Sequence, residues 1–141
     1  MKSLREFFKR DKYAELSGIE LVDVTPGHAM ARMLIRKHHL NGLCTVHGGA
    51  IFTLADFAFA LACNSHGQVA VAANANISFL KAVGEGSVLT ADARENAPGT
   101  RLAGYTVNIT DEKNELIAVF QGLAYRKKET LEDVVKNIKS V

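Results

Sequence analysis

"HGGAIFTLADFAFALACNSHG", residues 47–67, decides how the rest of the chain is read. From Ala50 to Cys63 nearly every residue is apolar, Ala, Leu and Phe dominate, and no Pro or Gly interrupts the run. That composition propagates a helix, placed over about residues 48–64 and closed by Gly67. A helix that is apolar all round has to be covered on all sides. Asp56, in its middle, breaks the pattern. A carboxylate withdrawn from water needs several donors or is driven towards its neutral form. Thr53, on the previous turn, is the local candidate to satisfy it.

Before this helix, Leu4, Phe7, Phe8, Tyr13 and Leu16 recur at helical spacing between Lys and Arg. They predict an amphipathic helix over 3–16, ended by Gly18. "IELVDVTPGHAMARMLI", residues 19–35, predicts a hairpin turning at Pro26-Gly27, followed by the polar loop "RKHHLNGLCTVHGG". After the long helix come four strand-like runs, "VAVAANANISFLKA", "SVLTADAREN", "RLAGYTVNITD" and "ELIAVFQGLAYRK". Turn residues in "VGEGS", "APGT" and "DEKN" separate them. The tail "TLEDVVKNIKSV" reads as a short helix with Leu131, Val134, Val135 and Ile138 on one face. The order implies a single α+β domain over 1–141, with one antiparallel sheet of five or six strands ending in a four-strand meander and one helix on its face. One sheet covers one side of a helix. A second copy of the chain is the simplest cover for the other side.

Composition narrows the function classes. A hydrophobic fraction of 48% with 23% charged residues is ordinary for a globular protein, and a net charge of +2 makes no case for nucleic acid. Two cysteines, Cys44 and Cys63, without a CxxC or a His/Cys cluster, give neither a zinc signature nor a disulfide framework. No metal is expected. The N-terminus lacks the continuous apolar core of a signal peptide, and the apolar helix is too short to span a bilayer. The expectation is a soluble cytoplasmic protein that does not enter the membrane.

The chemistry gathers at the start of the helix. The first N–H groups of a helix lack internal partners and carry the positive end of its dipole. In "His47-Gly48-Gly49" glycine lets another atom approach them, which suits an oxyanion or a polarised carbonyl. Asp56 lies eight residues after Gly48, roughly 12 Å along the same helix. A reacting carbonyl must sit within about 3 Å of both its oxyanion donor and its base or nucleophile. One helix cannot provide both. Two antiparallel copies can, with Gly48 from one subunit facing Asp56 from the other.

The spacing Asn41-Gly42-x-x-x-x-His47-Gly48-Gly49-x-x-x-x-x-x-Asp56 resembles the signature of hotdog-fold acyl-CoA thioesterases of the phenylacetic-acid-degradation type, and the similarity runs over roughly residues 36–126. The resemblance implies one long central helix wrapped by the sheet, acting as a homodimer or a dimer of dimers with the site at the subunit interface. It assigns Asp56 as the catalytic carboxylate, acting as nucleophile or general base, and the Gly48 N–H as the group that polarises the thioester carbonyl. Asn41 and His47 match polar residues that hold the water or nucleophile. Gly49 and Asn74 border the substrate. The coenzyme A end of the acyl-CoA needs a basic rim, for which Lys81, Gly99-Thr100-Arg101 and Arg126-Lys127-Lys128 are candidates. Coenzyme A enters as part of the substrate, and no separate cofactor is implied. Some relatives carry a strand hydroxyl where this chain has Ala72 or Ala73, with Asn74 the neighbouring polar residue.

Most other polar residues read more plainly. His28, His38, His39 and His66 have no motif context and are expected at the surface, and Cys63 in the core. Cys44 lies in the motif loop with no base beside it in sequence, which argues against a cysteine nucleophile. Two other activities remain open on sequence: an acyl-thioester hydratase or dehydratase using His47 with Asp56, and a non-catalytic acyl-CoA-binding module.

Overall fold

A computed structural model describes residues 2–97, 99 and 101–139. Two short helices, α1 (Lys2–Phe8) and α2 (Lys12–Ser17), lead into the hairpin of β1 (Ile19–Thr25) and β2 (His28–Leu34). A single 3-10 turn, Lys37–His39, precedes the long helix α3 (Gly48–Asn64). Four strands follow, β3 (Gln68–Phe79), β4 (Val88–Glu95), β5 (Leu102–Thr110) and β6 (Leu116–Thr130), and then α4 (Leu131–Lys139).

The expected helix over 3–16 is two helices. Asp11 accepts a hydrogen bond from Ala14 N at 3.0 Å and caps a new helix start, which ends the first helix before it. Gly18 closes α2 in the left-handed region, φ 78°.

The six strands form one antiparallel sheet in the order β1-β2-β4-β5-β6-β3. The last four strands are therefore not a sequential meander. β3 pairs with β6, leaving its other side as a sheet edge, and β4 joins β2. The core lies between α3 and the inward face of the sheet. Inward residues alternate along each strand, as in Ala29, Ala31 and Met33 on β2 or Leu89, Ala91 and Ala93 on β4. Many are alanine, so the helix sits close to the sheet.

The tightest approach is at Gly122 on β6. A Cβ there would lie 2.7 Å from the Phe59 ring. Phe59 also stacks obliquely on Phe120 and Tyr105, with centroids 5.5 and 5.6 Å away. The ring is thus held on three sides. Gly122→Val should lower stability by about 1–3 kcal/mol through overpacking, read as a lower denaturation midpoint in urea. An unchanged midpoint would show that Phe59 moves freely.

Candidate active site

α3 begins where a tightly bonded loop ends. Leu40 and Val46 bridge across the loop. Within it, Asn41 N donates to Thr45 O and Cys44 N to Asn41 O. The Asn41 side chain closes the same loop: its Oδ1 accepts from Leu43 N at 2.9 Å and Thr45 N at 3.2 Å, and its Nδ2 donates to Thr45 Oγ1. Asn41 is thus an Asx-type clamp that still borders a cleft of about 330 Å³ with Gly48, Phe79 and Lys81. Two further bonds fix the end of the loop, Val46 N to Val83 O and His47 N to His39 O.

His39 is buried, contrary to its expected surface position. Its Nδ1 accepts from Arg36 N at 2.9 Å and its Nε2 donates to Ser17 O at 2.7 Å. Those two bonds fit a neutral ring, and burial lowers its pKa. His39 therefore ties the loop before α3 to the end of α2.

His47 caps α3. Its Nδ1 accepts from Gly49 N at 2.8 Å, which leaves Nε2 to carry the proton in the neutral ring. A Cβ on Gly49 would lie 2.9 Å from that nitrogen, so the cap requires glycine. Ala50 N and Ile51 N both bond to His47 O. Of the first N–H groups of α3, Gly48's alone has no acceptor among the described residues. Beside it lies Phe79, exposed at the end of β3, whose ring would approach a Gly48 Cβ to 3.0 Å.

Asp56 has no hydrogen-bond partner among the described residues. Thr53, its expected donor, gives its hydroxyl hydrogen to Gly49 O at 2.7 Å. Burial raises the Asp56 pKa, and the nearby charge of Asp11 raises it further. The sheet buries Leu54, Ala55, Ala58 and Ala62 completely but leaves Gly49, Phe52, Thr53, Asp56 and Ala60 only partly covered or exposed. These five recur at i, i+3 and i+4 spacing, so they form one stripe along α3. Gly48 and Asp56 are separated along that helix by about 12 Å.

The remaining candidates are spread around the sheet. Asn74 is exposed on β3, next to Ala73, where the register with β6 slips by one residue. Lys81 pairs with Glu115. Arg101 is exposed, and its carbonyl accepts from Arg126 N. Thr100 lies outside the described residues. Arg126 is turned inward: its guanidinium bonds Glu95 Oε1 at 3.0 Å and also Gly99 O. Glu95 in turn bonds His66 at 2.8 Å, while His28 pairs with Asp92 at 2.7 Å. Two of the four histidines expected at the surface, His28 and His66, are therefore in ion-pair geometry. Lys127 and Lys128 stay exposed. Cys63 is buried, with its thiol pushed up to about 12, and Cys44 is exposed. No group of three or more metal-ligating side chains occurs among the described residues, and none of their helices is long and apolar enough to cross a membrane.

Sequence reasoning did not reach Asp11, His39 or Phe79. The paired His38-His39 carried no sign of which ring is buried. Phe79 differed in no way from a core residue in an apolar strand.

A long helix packed on one face of a six-stranded antiparallel sheet is the architecture of the hotdog fold. Residues 44–118 match the Thioesterase superfamily, and the chain belongs to it. Acyl-coenzyme A thioesterase PaaI of Escherichia coli is 36% identical over 119 residues, 84% of this chain and 85% of that protein. Its structure, from the phenylacetic acid degradation operon, superposes with a TM-score of 0.88 at 34% identity, covering 92% of this chain and 94% of the other. A mutant of the phenylacetic acid degradation protein PaaI from Thermus thermophilus gives a TM-score of 0.80 at 35% identity, over 83% and 100% of the two chains. The protein smu.793 of Streptococcus mutans, bound to acetyl CoA, gives 0.76 at 26%, over 79% and 90%.

The Asp56 carboxyl predicts a pH-dependent effect on stability. Its native pKa stands above the ordinary 3.8, so the folded chain holds more protons and stability falls as pH rises from 3.8 through the native value. Asp56→Asn removes that loss. It should raise the melting temperature at pH 7, with the gain shrinking towards pH 4. An equal or lower melting temperature at pH 7 would show that the carboxylate is well satisfied in the fold.

Proposed function

We propose that the protein hydrolyses acyl-CoA thioesters at two sites per dimer, each using the Gly48 N–H of one subunit and Asp56 of the partner subunit. The observation that carries this reading is the placement of both groups on one helix, unpartnered and too far apart to reach one carbonyl. An antiparallel pair of α3 helices brings each helix start alongside the middle of the other. That pairing also covers the bare stripe with apolar surface.

The sheet edge offers a matching contact. β3 runs from Gln68 to Phe79 with no charged residue and no proline, and most of it is exposed. A long uncharged edge readily pairs with another strand. Two β3 edges joined about a two-fold axis make one continuous sheet and set the two α3 helices side by side.

In the reaction the thioester oxygen accepts from Gly48 N–H, which stabilises the negative charge that develops as the carbonyl is attacked. Asp56 of the partner subunit takes the proton of the attacking water, or attacks the carbonyl itself to form a mixed anhydride that water then hydrolyses to the free acid and the restored carboxylate; both roles need the same placement. A raised pKa improves a carboxylate as a proton acceptor near neutrality. The carbon–sulfur bond then breaks, and the thiolate of coenzyme A leaves and is protonated. The exposed cations Arg101, Lys127 and Lys128 suit the coenzyme A phosphates. Arg126 supports them from beneath, since its own charge is spent on Glu95. A hydratase needs His47 as a proton-transfer group, but the Nδ1 of that ring is committed to its cap. A passive binder has no use for an unpaired carboxylate on the bare stripe.

Gly48→Pro tests the donor. Proline is accepted at the first position of a helix and removes the N–H there, His47 (φ −62°, ψ 135°) already has the conformation preferred before proline, and Gly48→Ala controls for the added Cβ that presses on Phe79. The proline variant should lose about 10²–10³ in kcat, while Gly48→Ala loses far less. Mixing equal amounts of Gly48→Pro and Asp56→Asn subunits, refolded together, should restore about one quarter of wild-type activity, because half of the dimers are mixed and each has one complete site. No recovery in a mixture shown to contain mixed dimers would contradict the shared site.

A further inference from the structure

Between the two N-terminal helices, β1 and α3 lies a second cleft, about 440 Å³, within the ~300–1,000 Å³ span of small-molecule sites. Its wall is apolar: Phe8, Ala14, Ile19, Leu21 and Phe57. Phe8 and Phe57 meet edge to face, with centroids 5.9 Å apart and planes at 87°. The cleft lies next to Asp56 along the chain: Phe57, in its wall, follows Asp56 directly on α3, and Asp11 stands on its rim. Arg5, Lys9, Asp11 and Glu15 form the rest of the rim, two cations and two anions. Such a rim does not select a charged tail.

We propose that this cleft holds the acyl group of the substrate, with Ala14 and Leu21 setting the size of the neutral, ring-sized group it accepts. The inference rests on the thioesterase reading above and adds to it a specificity element in the N-terminal helix pair. The carbonyl lies beside Asp56, and the acyl group continues past Phe57 under α2. Ala14 is buried on the inner side of α2, so a larger side chain there projects into the cleft. Leu21 is half-buried on β1, so shortening it deepens the cleft. Neither residue touches the Gly48 N–H or the Asp56 carboxylate through any hydrogen bond among the described residues.

The test is kcat/KM for acetyl-CoA, phenylacetyl-CoA and naphthylacetyl-CoA in wild type, Ala14→Phe and Leu21→Ala, each checked for folding by its melting transition. Ala14→Phe should lower the phenylacetyl-to-acetyl ratio tenfold or more. Leu21→Ala should raise the naphthylacetyl-to-phenylacetyl ratio fivefold or more. If Ala14→Phe does not fold, the Leu21→Ala ratio decides alone. Wild-type turnover with ratios that move less than twofold in the folded variants overturns the cleft assignment and leaves the thioesterase reading intact. Absence of turnover on all three thioesters overturns the thioesterase reading and this assignment with it.

Discussion

A carboxylate with no hydrogen-bond partner among the described residues, on a partly covered helix face, is the constraint around which this fold is arranged. The sheet wraps α3 on one side and buries Leu54, Ala55, Ala58 and Ala62 completely. On the other side it leaves a stripe that contains Asp56. A hydrogen bond from Thr53 would have satisfied the carboxylate, but Thr53 bonds to the backbone of its own helix instead. A carboxyl left in that state favours its protonated form, and local rules are typically broken in this way at functional sites.

The start of α3 shows the same economy. The loop from Leu40 to His47 is closed by several hydrogen bonds, and His47 satisfies Gly49 N. Gly48 N–H is left over. Each glycine has its own reason. Gly49 leaves room for the capping ring, and Gly48 leaves room for Phe79 and for whatever approaches its nitrogen. Holding the loop rigid while leaving one donor bare is what preorganised stabilisation of an oxyanion needs.

The sequence made α3 and the places of its first glycines and of Asp56 legible because they depend on local pattern: an unbroken apolar run, a Gly-Gly start and a fixed spacing to Asp56. The strands were legible from their turns. The position of β3 at the sheet edge was not, because strand order depends on long-range pairing that leaves no local trace. A helix over 3–16 fitted the periodicity of its apolar residues, but Asp11 starts a second helix within it, and its capping bond outweighs continued periodicity. Arg126 looked like a free cation in "YRKK", and only the fold brings Glu95 from β4 and Gly99 to its guanidinium. His39 and Phe79 take their roles from partners at Ser17 and Gly48, distant in sequence.

The central claim is that one thioester is held by two copies of α3. It is tested most directly by a crystal structure of the Asp56→Asn protein with a non-hydrolysable acyl-CoA analogue bound. The account predicts the carbonyl oxygen of the analogue at about 3 Å from Gly48 N of one subunit, with the side chain at position 56 of the other subunit on the opposite side of the carbonyl carbon. A carbonyl contacted by Gly48 and position 56 of the same subunit, or an analogue bound to a lone subunit, would contradict it.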